Sequence, residues 1–429
     1  MIIQNVKGGY DFLPKEQRIR NYINNILKET FEEYGFNPIE TPILCYYDIL
    51  SDKYDENNDI LKEIYRLKDQ GNRNLGLRYD LTIPFAKFIA LNKNRITFPF
   101  KRYEINKVFR DGPVKIGRDR EFTQCDADVV GIEGQLIEAE LLSLYVKAFK
   151  KLNIEIIIKY NNRSLMTGLI LESNIEEDLV PSITTIIDKK DKITEQELTN
   201  YLLEIGLNNN QISKLNKYFN MTLQELKKEF KNTPNTRIRL GLEELNNLTK
   251  YLKSLNINKI CQVSTSLARG QNYYTGNVFE VYEKNNKIKG SIGAGGRYDK
   301  IIGNFINDGN TYPTVGISFG LTSIYELLKD KEIFNTKSQT DIYIIPLNTE
   351  IESLKLANKI RKLGFSVEIE MTNKKIRKSM EYADREKIQY VIVLGENEIR
   401  NKSFKIKNMF TNREYLINFN NLNKLKSIK

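Results

Sequence analysis

Two alternating segments flank a charged loop between Phe109 and Asp128, and their pattern restricts the middle of the chain to a strand, a loop and a return strand. Before the loop, Arg102, Glu104, Asn106, Val108 and Arg110 share one parity, while Tyr103, Ile105 and Phe109 take the other. Successive side chains of an extended chain point to opposite faces, so Arg110 stands at the strand's mouth. After the loop, Arg120, Phe122, Gln124, Asp126 and Asp128 oppose Glu121, Thr123, Cys125, Ala127 and Val129. Arginine, amide and two carboxylates on one face make a poor core. They suit a pocket for a ligand with both anionic and cationic groups.

What surrounds this hairpin is bounded by length and composition. A chain of 429 residues predicts two or three domains. The formal charge of +11 favours a polyanionic partner or an anionic membrane surface, although lysine and asparagine drift explains it equally well. The cysteines Cys45, Cys125 and Cys261 lie far apart and form no Cys-x-x-Cys pair, which argues against a disulfide scaffold and fits a reducing compartment. Histidine is absent, which removes Ser-His and Cys-His nucleophiles and histidine-ligated metals together. No charged-then-apolar leader and no apolar run of spanning length is present, so a cytoplasmic, non-membrane protein is expected.

Taken in order, residues 15–34 carry apolar positions at helical spacing, with Gly35 as the stop. Residues 36–44 read as extended, and Glu63–Lys68 with Leu75–Tyr79 as a hairpin. Thr82 is expected to cap the next helix, with Pro84 in its first turn. Leu136–Leu152 reads as helix and Ile154–Ile158 as a buried strand. From about 175 to 255 the chain becomes lysine- and asparagine-rich and helical. Strand character then resumes, with Val278–Tyr282 extended, Gly290–Asp299 read as a tight arginine-bearing turn, and Val315–Leu328 as strand into helix. After a polar linker, Asp341–Pro346, Glu350–Leu363, Ser366–Met371, Lys375–Glu386 and Tyr390–Leu394 alternate strand and helix, the pattern of a small α/β domain. The expected division is therefore 1–174 with 256–330, an insertion at 175–255, and a last domain at 338–429.

Arg110, Arg118, Arg120, Arg269 and Arg297 fall at expected strand ends or glycine turns, places that suit bidentate binding of phosphate or carboxylate. Any one of them alone reads more simply as a salt-bridging residue. The glycines Gly293, Gly295 and Gly296 match neither nucleotide-binding glycine pattern, so bound phosphates would be held by arginines with Mg²⁺. Asp80, Gln124, Asp126 and Asp128 are the complementary acceptors, or structural partners of those arginines. Tyr273 and Tyr274 are adjacent, so one is expected in the pocket and the other in the core. Together these features describe a nucleotide-using enzyme with a separate basic module.

At these residues the chain resembles the histidyl-tRNA synthetase family of class II aminoacyl-tRNA synthetases. Phe109-Arg110-Asp111 through Arg118-Asp119-Arg120-Glu121-Phe122-Thr123-Gln124-Cys125-Asp126 is similar to the second signature motif of that class. Leu267-Ala-Arg-Gly-Gln-Asn-Tyr-Tyr-Thr-Gly and Gly295-Gly296-Arg297-Tyr298-Asp299 resemble the histidine-specific motifs, and the turns at Lys7–Pro14 and Leu77–Thr82 also match. The resemblance implies an α+β fold, an antiparallel sheet flanked by helices with a helical insertion and a C-terminal α/β anticodon-binding-like domain.

It implies ATP with Mg²⁺, bound through Arg110, Arg118 and Arg297, and Arg269 stabilising charge as the amino-acid carboxylate attacks the α-phosphate. Asp80 and Gln124 would hold the amino group of L-histidine and Asp128 and Tyr274 its two ring nitrogens, with Thr82 and Tyr273 also in the histidine site. The loop with Lys115 and Arg118 would meet the acceptor end of tRNA(His), and Lys374 and Lys375 its anticodon, though those lysines equally fit a solvated helix face. A homodimer is also implied. The chain departs from the family at Gly320-Leu321-Thr322-Ser323, where relatives carry Gly-Leu-Glu-Arg, at Asn272 for aspartate, and at Asp80 and Asp128 for glutamate. Two other readings stay open: a regulatory subunit of ATP phosphoribosyltransferase, whose relatives usually lack the last domain, and a non-catalytic RNA-binding protein.

Overall fold

The alternating segments pair antiparallel along their whole length, from Phe100 opposite Val130 to Phe109 opposite Glu121. The computed structural model describes residues 3–51, 59–114, 118–190, 193–269, 273–331 and 338–428. It divides into two compact units, Met1–Lys329 and Asp330–Lys429.

In the first unit the hairpin belongs to an eight-stranded sheet. Its spatial order is Asn37–Pro38, Phe100–Phe109, Glu121–Val130, Thr314–Gly320, Gly293–Arg297, Asn277–Glu283, Ile156–Asn162 and Cys261–Val263. The six inner strands run antiparallel and only the two edge pairings are parallel. One face is sealed by helices. Pro14–Glu33 buries Ile19, Ile23, Leu27 and Phe31 at four-residue spacing, and Phe31 packs on Tyr103 and Phe319 at 5.3 and 5.7 Å between ring centroids. Helix Leu136–Lys151 sets Tyr145 and Phe149 against the same Phe319. Burying aromatics of this size contributes roughly 1.5–3 kcal/mol each. The opposite parity of the same strands faces away from these helices, and there the polar residues collect.

Two local expectations need correction. Gly293–Arg297 is an inner strand of the sheet and not a turn. Its glycines permit close approach: a Cβ on Gly295 would lie 2.2 Å from the Gly316 carbonyl oxygen, so only hydrogen fits. Helix Thr82–Asn92 is not capped by Thr82, which is its first residue. The Asp80 carboxylate accepts from the backbone N–H groups of Thr82 and Ile83, both at 3.1 Å, the usual capping chemistry carried by an upstream side chain.

Among the described residues between Arg163 and Ser254 the regular structure is helical, with Asn162, Thr194, Asn208, Thr222 and Asn235 accepting hydrogen bonds at helix starts. The second unit carries a five-stranded sheet ordered Val367–Ile369, Ile342–Pro346, Tyr390–Leu394, Ser403–Asn408 and Glu414–Asn418. Its first three strands are parallel and its last two form an antiparallel edge. Ile342, Ile344, Leu356, Ile360, Ile392 and Phe404 fill its core.

Candidate active site

Strand register stacks the polar face into rows. Asp128 lies between Arg102 and Gly316, Asp126 between Glu104 and Ser318, and Gln124 between Asn106 and Gly320. Above these rows is a cavity of about 230 Å³. Its walls include Asp80, Thr82, Arg110, Phe122, Gln124, Asp126, Asp128, Arg269, Tyr273, Tyr274, Tyr298 and Ser318. Residues from five separate stretches of sequence are thus brought together.

The floor is a buried ionic lattice. Arg102, fully buried, places Nη2 2.7 Å from Asp128 Oδ2 and its guanidinium 4.1 Å over the Phe85 ring. Asp128 Oδ1 accepts from the Tyr298 hydroxyl. Arg78, just past strand Asn74–Leu77, donates to Glu104 at 3.0 Å and to the carbonyls of Thr41 and Lys107 at 2.7 Å. Burial, followed by the charge of Asp128, pushes the Asp126 carboxyl up to about 8, against the pull of Arg102. Burial likewise raises Asp128, with Arg102 and Tyr298 opposing it. The cavity is therefore short of cations at its acidic end.

The same lining carries two arginines. Arg110 donates through Nε to the Tyr79 carbonyl at 3.3 Å, and its guanidinium sits 4.1 Å from the Tyr79 ring and 4.9 Å from the Phe122 ring. Arg269 donates to Glu280 at 2.5 Å, and Glu280 also accepts from the Tyr282 hydroxyl. Such an arrangement holds an anion at the arginines and an N–H-rich group at the carboxylates of one cavity.

Of the residues expected from sequence, Asp80, Thr82, Arg110, Gln124, Asp128, Arg269, Tyr273 and Tyr274 all line this cavity. Both tyrosines do so, with ring centroids 4.7 Å apart, and Tyr274 is at the same time a buried member of the hydrophobic core, as expected of one of the pair. Arg297 is a correction to its expected phosphate role. It is buried away from the lining, donating to Glu138 at 2.7 Å, Asp299 at 3.3 Å and the Ile132 and Gly134 carbonyls at 3.2 and 2.7 Å. Those partners occupy its fork, and burial raises Glu138 to about 6 even so. Arg118 is half-exposed, pairs with Glu63 at 2.5 Å and is not among the lining residues. Lys115 lies outside the described residues. Lys374 and Lys375 are exposed beside the start of helix Ile376–Arg385 in the second unit.

From sequence, Asp126 is expected only as a complementary acceptor or an arginine's structural partner and stands outside the histidine set, while Tyr298, Ser318 and Arg102 carry no expected role of their own. Parity placed Asp126 on the right face; Tyr298 was hidden by reading its strand as a turn. Among the described residues no cluster of three or more His, Cys, Asp or Glu is disposed to hold a metal, and no helix is long and apolar enough to cross a membrane.

An antiparallel sheet bearing an arginine- and carboxylate-lined cavity, on a chain that also carries a separate mixed α/β unit, is the build of a class II aminoacyl-tRNA synthetase. A family model described as histidyl-tRNA synthetase matches residues 8–324, and one described as anticodon binding domain matches residues 341–426. The chain belongs to the histidyl-tRNA synthetase family. It is 45% identical over 414 residues to a histidine–tRNA ligase 1 of Bacillus cereus, covering 95% of this chain and 94% of the relative. A crystal structure of histidyl-tRNA synthetase from Nostoc sp. PCC 7120 superposes with a TM-score of 0.87 at 29% identity, covering all of both chains. A Bacillus halodurans structure titled ATP phosphoribosyltransferase regulatory subunit/histidyl-tRNA synthetase matches with a TM-score of 0.76 at 20% identity, over 92% of this chain and 99% of that one. At that identity it speaks to the fold alone.

Proposed function

We propose that this chain is a ligase that activates L-histidine with ATP to histidyl-adenylate and transfers the histidyl group to the 3′ end of tRNA(His). The observation that carries the reading is the cavity itself, lined by Arg110 and Arg269 together with Asp80, Gln124, Asp126 and Asp128, in a chain whose full-length relatives are named histidine–tRNA ligases. Activation needs an amino-acid carboxylate held against the α-phosphate while negative charge shifts onto the leaving pyrophosphate. Arg110 binds that phosphate and Arg269 stabilises the charge, work done by position and electrostatics without a side-chain nucleophile. The lack of histidine in the chain is therefore no obstacle.

Asp80, Thr82 and Gln124 hold the amino end, and Asp128, Tyr273 and Tyr274 surround the ring. A buried site that hydrogen-bonds its substrate rejects analogues lacking those groups by up to about 10⁴–10⁵. Mg²⁺ would be held by the phosphates of ATP and would offset their charge. Arg118 guides the phosphates or the acceptor end, Lys115 the acceptor end, and Lys374 and Lys375 the anticodon. The working form is a cytoplasmic homodimer. ATP–pyrophosphate exchange with each amino acid in turn tests the reading: exchange that depends on histidine supports it, and exchange absent with histidine refutes it.

A further inference from the structure

The acidic end of the cavity has two aspartates on one strand, and they differ in how they are satisfied. Asp128 is occupied: Arg102 lies 2.7 Å from one oxygen, and the Tyr298 hydroxyl donates to the other. Asp126 is equally buried, at 4% exposure, and lines the same cavity. Ser318, across the strand, supplies its side-chain hydrogen bond, and no donor among the described residues reaches Oδ1. Its neighbour on the other strand is Glu104, an anion already taken by Arg78 and Thr41. Asp126 thus has no cation of its own, and a buried carboxylate in that position is costly until a donor arrives.

We infer that Asp126 is a direct acceptor for an N–H group of the amino-acid substrate, a recognition residue additional to Asp80, Gln124 and Asp128; this rests on reading the cavity as the histidine site. Histidine carries N–H groups at both ends, the α-ammonium and the ring. Same-face residues on a strand are about 6.6 Å apart, so Asp126 stands between the Gln124 row that meets the amino end and the Asp128 row that meets the ring. The donor fills Asp126 Oδ1, an acceptor that no side chain of the lining satisfies, and supplies positive charge beside a carboxylate that has no ion-pair partner among the described residues.

The test is histidine-dependent ATP–pyrophosphate exchange with the full chain and with Asp126→Asn. Losing a hydrogen bond to a charged acceptor predicts a rise in the KM for histidine of about 10- to 100-fold, with the KM for ATP as internal control. Inhibition by imidazole-4-propionate, which lacks the amine, separates the two donors. A penalty that persists with this analogue assigns the ring N–H, and one that vanishes assigns the ammonium. A histidine KM within twofold of the parent overturns the inference while leaving the proposed function standing. Absence of exchange in the parent chain refutes the function first. If the variant does not fold, a crystal structure of the parent with histidine decides: a substrate nitrogen within about 3.2 Å of Asp126 supports the inference, and none within that distance overturns it.

Discussion

Substituting Gly316 by alanine should be far more damaging than a methyl group at a cavity wall would suggest. A Cβ at this position would lie 1.8 Å from Asp128 Oδ1 and 2.7 Å from its Cγ. An ordinary contact is about 3.4 Å or more, so the carboxylate would have to retreat by about 1.6 Å. It cannot retreat and keep its partners, because Arg102 fixes one oxygen at 2.7 Å, Tyr298 bonds the other, and strand register holds Gly316 directly opposite. If crowding alone were relieved, the cost would be about 1–3 kcal/mol. Because the shift breaks a buried ion pair and strands Arg102, about 3–5 kcal/mol is expected instead. Gly320→Ala is the control, since its Cβ would meet only the Ile292 carbonyl oxygen at 3.3 Å and Ser323 Oγ at 3.7 Å, and a change within about 1 kcal/mol is expected. Urea unfolding of the parent and both variants reads the difference, and the histidine KM of Gly316→Ala should rise with it. Equal stability of the two variants would refute the claim that Asp128 is pinned between Arg102, Tyr298 and Gly316.

Other outcomes follow from the same geometry. Arg297→Met should destabilise the fold by about 3–5 kcal/mol in thermal or urea unfolding, because it leaves Glu138 buried and unpaired, and should leave the KM for ATP nearly unchanged in whatever fraction folds. Arg269→Ala should lower histidine-dependent exchange by about 10²–10³-fold without loss of fold, measured by circular dichroism alongside the assay. The ligand-free protein should lose stability as pH rises from about 4 towards 8. Asp126 has a folded pKa raised to about 8, so across that window the unfolded carboxylate is ionised while the folded one keeps its proton; urea midpoints across pH check this, and Asp126→Asn should flatten the decline. Lys374→Ala combined with Lys375→Ala should weaken tRNA binding and reduce the slope of log affinity against log salt by about 1–2, read by filter binding.

Much of the site was legible because it lies on strands with a strict two-residue period. The parities of Arg102–Arg110 and Arg120–Asp128 placed Gln124, Asp126 and Asp128 on one face, and that face lines the cavity. The amphipathic spacing of Ile19, Ile23, Leu27 and Phe31 likewise marked the helix that covers the opposite face. What escaped was decided by partners distant in sequence or by residues without side chains. Gly293–Arg297 offers almost no alternation to read, so a central strand looked like a turn. Arg297 resembles a ligand-binding arginine until Glu138, on a helix 159 residues away, is seen to hold it. The Asp80 cap replaced the expected Thr82 cap because the helix starts at Thr82 itself, which leaves Asp80 within reach of the first free N–H groups. The edge pair Ser403–Asn408 and Glu414–Asn418 was missed because its polar outward residues mask Phe404, Ile406 and Ile417, which alone enter the core.

In the proposed function, one cavity joins histidine to tRNA through an adenylate. Transfer of radiolabelled histidine to tRNA(His) by the full chain with ATP tests it most directly, with Arg269→Ala as the paired control. Label should appear in acid-precipitable tRNA only with ATP, should not form with other amino acids, and should fall by at least a hundredfold in the variant. Label absent with the parent chain, or equal in parent and variant, would contradict it.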